Sequence, residues 1–163
     1  MDIINKAKLI KLVATDIDGV WTDARMYYTV KGDYMKAFST YDGFGAQMLQ
    51  NNDIIVAILT SENTDIVKAR AKKLNIKEVY IDEKEKLKRT IYLTKKFEIS
   101  LNEVAYIGDD LNDLELLRSV GLSALSANSP IKNEFKPDYI TTRKGGDGAF
   151  REFADLILKA QNS

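Results

Sequence analysis

Leu9-Ile10-Lys11-Leu12-Val13-Ala14-Thr15-Asp16-Ile17-Asp18-Gly19 is the stretch that decides the fold. The apolar run 9–15 reads as a buried strand, and two acids follow it at once. Strand ends are where open α/β sheets build their sites. With one residue between them, Asp16 and Asp18 fall on the same side of an extended backbone. Two carboxylates that close raise each other's pKa unless a cation lies between them. The pattern therefore asks for a metal, a shared proton or both. A solvated Asp-Gly turn is the competing reading, since both are ordinary turn residues.

A second cluster weighs against the plain turn. Gly108-Asp109-Asp110-Leu111-Asn112-Asp113 closes another apolar run, Val104-Ala105-Tyr106-Ile107. Leu114, Leu116 and Leu117 then open an amphipathic pattern, so Asp110 and Asp113 also favour the first turn of a helix. Helix capping accounts for one of these acids, not for five at two strand ends.

Apolar runs and helical patterns alternate along the rest of the chain. The spacing predicts strands at 9–15, 54–60, 77–81, 103–107, 121–125 and 138–141, with helices near 43–51, 64–74, 84–97, 111–119 and 148–160. Such alternation implies a doubly wound α/β fold, a mostly parallel sheet with helices on both faces. Continuous apolar strands such as Ile54-Ile55-Val56-Ala57-Ile58-Leu59 suit a sheet covered on both sides. One segment breaks the alternation: Arg25–Thr29 and Tyr34–Phe38 flank Val30-Lys31-Gly32-Asp33 and read as a β-hairpin. It follows the first acidic pair directly, so it is placed to cover the site as a flap.

At 163 residues the chain is expected to form a single domain with a real core. Basic and acidic residues balance at 24 each, so no overall field recruits nucleic acid or anionic lipid. No apolar stretch approaches a membrane span and no signal-peptide pattern opens the sequence, which reads as cytoplasmic. Cys and His are both absent. That excludes thiol nucleophiles, Ser-His triads and the usual zinc sites. Chemistry must run on carboxylates, lysines, hydroxyls and a hard oxygen-loving cation such as Mg²⁺.

Two further candidates follow from position. Thr60 ends the strand at 54–60, where a hydroxyl can donate to a phosphoryl oxygen, although Ser61, Asn63 or Thr64 there can equally cap a helix. Lys84, Lys86 and Lys88 lie in a charge run that reads mostly as a solvated helix face. One lysine turned back toward the carboxylates would offset part of their charge.

The order Asp16-x-Asp18, Thr60, Lys86 and Gly108-Asp109-Asp110-x-x-Asp113 resembles the four motifs of the haloacid dehalogenase superfamily of phosphotransferases. The resemblance implies one Rossmann-like phosphatase domain over 1–163. Asp16 would attack phosphorus and form an aspartyl-phosphate, and Asp18 would protonate the leaving group and then activate water. Thr60 and Lys86 would hold the phosphoryl oxygens. Mg²⁺ would take Asp16, the backbone carbonyl of Asp18 and Asp109, with Asp110 and Asp113 supporting the metal shell. Only 23 residues separate Asp18 from Asp42, and 25 separate Thr60 from Lys86. Neither gap holds a cap domain, so the chain looks capless, with the flap at about 20–38 and neighbouring subunits shaping the pocket.

A closer similarity is to the phosphatases of 3-deoxy-ulosonic acid phosphates, enzymes of lipopolysaccharide or sialic acid biosynthesis. It is carried by Asp16–Asp23, by Lys36–Gly45 and by Lys144–Glu152. This likeness implies a homotetramer with its hairpins gathered at the centre, acting on a small sugar phosphate. Glu62 stands where the eight-carbon enzymes carry Arg and, with Arg70 and Lys73, is similar to the nine-carbon group. Asp42-Gly43-Phe44-Gly45 looks more like the eight-carbon group. The expectation is a nine-carbon 9-phosphate over 3-deoxy-D-manno-octulosonate 8-phosphate, with Ser61, Glu62, Arg70, Lys73 and Asn112 against the substrate. A response-regulator receiver domain and a non-catalytic phosphatase-like scaffold are the competing classes. A receiver's phosphoacceptor Asp should end a middle strand, and a scaffold should have lost a nucleophile or metal ligand.

Overall fold

The computed structural model describes residues 2–163. Six parallel strands form one sheet in the order β5-β4-β1-β6-β7-β8, where β1 is Leu12–Thr15, β4 Ile55–Leu59, β5 Glu78–Tyr80, β6 Val104–Gly108, β7 Leu122–Leu125 and β8 Tyr139–Ile140. Each strand expected from the sequence is present, most of them shorter. Leu9 and Ile10 belong to the turn that leaves a helix absent from the sequence reading, α1 (Ile3–Lys8). That helix is too short to stand alone. It packs on the C-terminal helix α6 (Ala149–Gln161), whose Gln161 side chain donates to the carbonyls of Ala7 and Ile10.

Strand alternation divides the core. Val13, Ala105 and Ile107 point to the face covered by α1, α2 (Thr40–Asn51), α3 (Asp65–Lys73) and α6. Leu12, Ala14, Val104 and Tyr106 point to the face covered by α4 (Lys86–Phe97) and α5 (Leu114–Leu117). β1 pairs with β4 on one side and β6 on the other. The chain winds outward from β1 in both directions, which leaves a crevice beyond the carboxyl ends of β1 and β6. Among the described residues, no helix is long and apolar enough to cross a membrane.

The helix expected at 111–119 is cut to four residues. A 3₁₀ turn over Leu111–Asp113 precedes it, because Asp113 turns its carboxylate back onto the backbone amides of Asp109 and Asp110. Gly108 leaves the space for this: a Cβ there would lie 2.4 Å from Asp113 Oδ2.

The hairpin forms a separate two-stranded sheet, β2 (Tyr27–Thr29) with β3 (Gly32–Met35). It stands off the core, with Tyr28 and Tyr34 each 70% exposed.

Candidate active site

Four elements converge at the crevice. β1 delivers Asp16 and Asp18, β4 delivers Thr60, β6 delivers Asp109, and the first residue of α4 is Lys86. Asp16, Asp18, Thr60, Ser61, Glu62, Asp109, Asp110 and Asn112 line a cavity of about 210 Å³ with Ala24. Arg70 and Lys73 do not line it.

Of the three lysines in the charge run, only Lys86 turns inward. Lys84 pairs with Asp82 and Lys88 with Glu85 at the surface, as expected of a solvated helix face. Lys86 is buried, with Nζ 2.7 Å from Asp16 Oδ2, 2.6 Å from Asp113 Oδ1 and 3.2 Å from the Tyr106 hydroxyl. Burial works against its charge, but the two carboxylates outweigh that and hold its pKa above the ordinary lysine value.

Asp113 accepts from Lys86 and Tyr106 on one oxygen and from the amides of Asp109 and Asp110 on the other. All its acceptor positions are in use. It can brace its neighbours but has little left to offer a metal. Asp16 and Asp109 differ. Asp16 accepts only from Lys86 and the amide of Ile17, which leaves each oxygen a free lone pair. Asp110 accepts from the Leu111 amide and caps the 3₁₀ turn at the cavity rim.

Burial, then the Asp113 charge, pushes the Asp16 carboxyl up to about 7. Burial, then the charges of Asp16, Asp113 and Asp110, pushes Asp109 up to about 8. Oxygens of Asp16, Asp109 and Asp113 all lie within 4.8 Å of one another. Asp16 and Asp109, the two with acceptor positions to spare, fit a hard divalent cation with oxygen ligands, with Asp113 bracing them from behind; the cation would reverse both shifts.

Thr60 is relieved of capping duty, because Thr64 is the N-cap of α3 and accepts from Ile66. The Thr60 hydroxyl accepts only from the Glu62 amide, so its proton is available to the cavity. Asn112 donates to Ser61 across the cavity. Arg70 is occupied elsewhere, donating to the Ser39 carbonyl with its guanidinium over the Phe38 ring.

Several supports escaped the sequence reading. Tyr106 lies in a run that reads only as apolar strand. The Ser129 hydroxyl donates to the Asp109 carbonyl at 2.5 Å. Lys36, just beyond β3, sits with its side chain fully buried at 2.7 Å from Asp18.

The glycine-rich stretch 144–148 packs behind the first acidic loop of its own chain. A Cβ at Gly145 would fall 2.0 Å from the Gly19 carbonyl, and the Gly146 amide donates to Val20. Trp21, fully buried, packs against Phe150 of α6 with tilted rings 4.7 Å apart and donates to Thr15. Asp42 of α2 accepts from the Arg151 amide in the first turn of α6, tying the hairpin's exit to this support.

Known proteins resemble this chain over nearly its whole length. A family model described as haloacid dehalogenase-like hydrolase matches residues 37–152. The 3-deoxy-D-manno-octulosonate 8-phosphate phosphatase of Haemophilus influenzae is 38% identical over 156 residues, covering 96% of this chain and 87% of that enzyme. The crystal structure of the corresponding enzyme from Yersinia pestis superposes with a TM-score of 0.94 at 40% identity, covering 99% of this chain and 87% of that one. The Moraxella catarrhalis enzyme, solved with a magnesium ion, a phosphate ion and a KDO molecule, gives a TM-score of 0.93 at 44% identity over 98% of this chain and 92% of its own.

Proposed function

The chain belongs to the haloacid dehalogenase-like hydrolases and, within them, to the family of 3-deoxy-D-manno-octulosonate 8-phosphate phosphatases; from that premise we propose that it hydrolyses a 3-deoxy-ulosonate phosphate with Mg²⁺ as its cofactor. One observation carries the reading. Asp16 meets the buried ammonium of Lys86 at 2.7 Å on the wall of a cavity that Asp18, Thr60 and Asp109 share. A nucleophile and a second carboxylate for proton transfer thus line one cavity, and a fixed cation for the phosphoryl oxygens stands directly behind the nucleophile.

In this mechanism Asp16 attacks phosphorus as the ester oxygen leaves with a proton from Asp18. Water, deprotonated by Asp18, then hydrolyses the aspartyl-phosphate. Lys86 and the Thr60 hydroxyl hold the phosphoryl oxygens throughout. Asp16, the Asp18 carbonyl and Asp109 would hold the Mg²⁺, which when bound offsets the charge of the carboxylates and of the phosphate.

The relatives favour the eight-carbon 8-phosphate, since those named above bear it in their names. The expected nine-carbon preference finds no support among them. Of its three residues only Glu62 lines the cavity, while Arg70 is committed to Ser39 and Phe38. Assembly through the hairpin is part of the proposal, with tetramers as the expected state. Met26, Tyr28, Val30, Tyr34 and Met35 are exposed together, an apolar surface with no cover in the monomer.

Phosphate release from eight- and nine-carbon ulosonate phosphates, with Mg²⁺ and with EDTA, tests the reading. The eight-carbon substrate is expected to give the higher kcat/KM, and EDTA to abolish turnover. Full activity in EDTA would overturn the metal assignment, and a nine-carbon preference would return Glu62 to the centre of substrate choice. No phosphate release from any ester would favour a scaffold.

A further inference from the structure

Lys36 ties the hairpin region to the first acidic loop. It lies just past the last residue of β3, and its side chain is fully buried although the strand before it is largely exposed. Its Nζ is 2.7 Å from Asp18 Oδ1 and 3.4 Å from Asp33 Oδ2. The other oxygen of each carboxylate, Asp18 Oδ2 and Asp33 Oδ1, is buried with no hydrogen-bond partner. Lys36 therefore takes one oxygen from each acid and leaves the second free. It does not line the cavity, whereas Asp18 does.

We infer that Lys36 is a positioning residue for Asp18: by holding Oδ1 it fixes the orientation from which the carboxyl passes the proton. The inference rests on the reading of Asp18 as the acid that protonates the leaving oxygen. In that step the bond from phosphorus to the ester oxygen breaks as Asp16 forms its own bond to phosphorus. The proton on the Asp18 carboxyl moves to the departing oxygen, giving a neutral alcohol and an Asp18 carboxylate that still faces Lys36. A carboxylate free to rotate would present either oxygen, at a range of distances from the leaving group, and general acid catalysis demands hydrogen-bond reach. Asp33 holds Lys36 from the hairpin side, so the flap carries a part of the proton-transfer apparatus.

Leaving-group dependence separates this role from mere anchoring of the hairpin. A good leaving group departs without a proton, and a poor one does not. The readout is kcat/KM across dinitrophenyl, p-nitrophenyl and phenyl phosphate. This quantity stops at phosphorylation of Asp16, so the later hydrolysis, which also uses Asp18, does not enter it. The ratio of phenyl to dinitrophenyl rates is independent of the fraction of active enzyme, so partial misfolding does not disturb it. Lys36→Met is expected to lose about 10- to 100-fold on phenyl phosphate and less than about 3-fold on dinitrophenyl phosphate, a part of the roughly 10²- to 10⁴-fold that a positioned acid contributes. Lys36→Gln, which stands in should Lys36→Met fail to fold, is expected to show the same selectivity, and Lys36→Arg to recover most of the ratio.

Asp18→Asn is run beside them. A selective loss in Asp18→Asn with equal losses on all esters, or none, in the Lys36 variants would overturn the inference and leave the acid in place. No selectivity in Asp18→Asn would instead overturn the reading of Asp18 on which it rests.

Discussion

Two lysines, Lys86 and Lys36, each meet a catalytic-loop acid and a second carboxylate, yet the two surroundings are opposites. Lys86 starts a core helix and touches Asp16, Asp113 and Tyr106, all of them buried. Lys36 leaves an exposed hairpin and holds Asp18, whose side chain is 25% exposed. Around Lys86, Asp113 has every acceptor position filled, whereas around Lys36 each acid keeps one oxygen unpartnered. A saturated network resists rearrangement, because any lost partner strands a buried charge. The half-filled one holds its acids by fewer bonds and can readjust more easily. On the proposed mechanism, the site joins a rigid phosphoryl-holding half to a flap-borne proton-transfer half.

The largest effect is expected from breaking the rigid half at its nucleophile. Asp16→Asn keeps the shape but removes attack on phosphorus, and turnover should fall by at least about 10³-fold with the fold intact. A variant retaining more than a few per cent of activity would refute the aspartyl-phosphate. Lys86→Met comes next and strikes stability as well. It leaves Asp16 and Asp113 facing each other without their cation, and losing one partner of a buried pair costs about 3–5 kcal/mol. Thermal unfolding of the metal-free protein should show this as a Tm drop of roughly 6–20 °C. Lys36→Met should lower Tm by less, because Asp18 can turn to water. Equal losses from the two substitutions would erase the contrast drawn here.

The pH dependence of the metal-free protein sharpens the contrast on the rigid side. Asp16 and Asp109 are pushed from the ordinary 3.8 to about 7 and about 8. Below about pH 4 both the folded and unfolded forms carry these protons, and folding incurs no penalty. As pH rises toward 8, the unfolded chain releases them first and the folded form must give them up at a cost. Stability of the metal-free protein should therefore fall between about pH 4 and about pH 8, by several degrees in Tm. Saturating Mg²⁺ should flatten that slope, since a cation favours both charged carboxylates. Differential scanning fluorimetry at constant ionic strength checks it. Parallel curves with and without Mg²⁺ would mean that the ion does not bind this cluster.

What could be read from the sequence, and what could not, divides along similar lines. Parallel strands buried on both faces announce themselves as apolar runs, and the acids that end them stand out at once. Asp16, Asp18, Thr60 and Asp109 were legible because each is a polar residue at a strand exit. Lys86 was legible only through the four-motif resemblance, since its neighbours Lys84 and Lys88 share its local pattern and face solvent. Lys36 and Tyr106 carried no local signal: one looked like a hairpin lysine, the other like a core aromatic. Their roles come from contacts 18 and 7 residues away along the chain. Ser129 reaches Asp109 across 20 residues, and Gly145 needs its missing side chain only because Gly19 backs onto it. Short α1 was missed for a related reason, as it is held by α6 from the far end of the sequence.

The smallest effect on the folded chain is expected at the hairpin's outer surface. Tyr28 and Tyr34 are each 70% exposed. Replacing both with Ser removes apolar area that the monomer does not bury, so the unfolding free energy of a single chain should change by under about 0.5 kcal/mol per site. If the hairpins gather copies of this chain, that same area is covered in the assembly. Burial of apolar surface there is worth about 25 cal/mol per Å², so the double variant should weaken association while leaving the monomer's secondary structure unchanged. Analytical ultracentrifugation across a dilution series measures the first, and circular dichroism the second. A variant that assembles like the parent would show that the hairpin tyrosines do not hold copies together. A variant that dissociates yet keeps the dinitrophenyl phosphatase activity would place the phosphoryl-holding half within one chain. A variant that dissociates and loses that activity as well would mean that even the Lys86 half depends on a neighbour, and the contrast between a self-sufficient core and a dependent flap would fail.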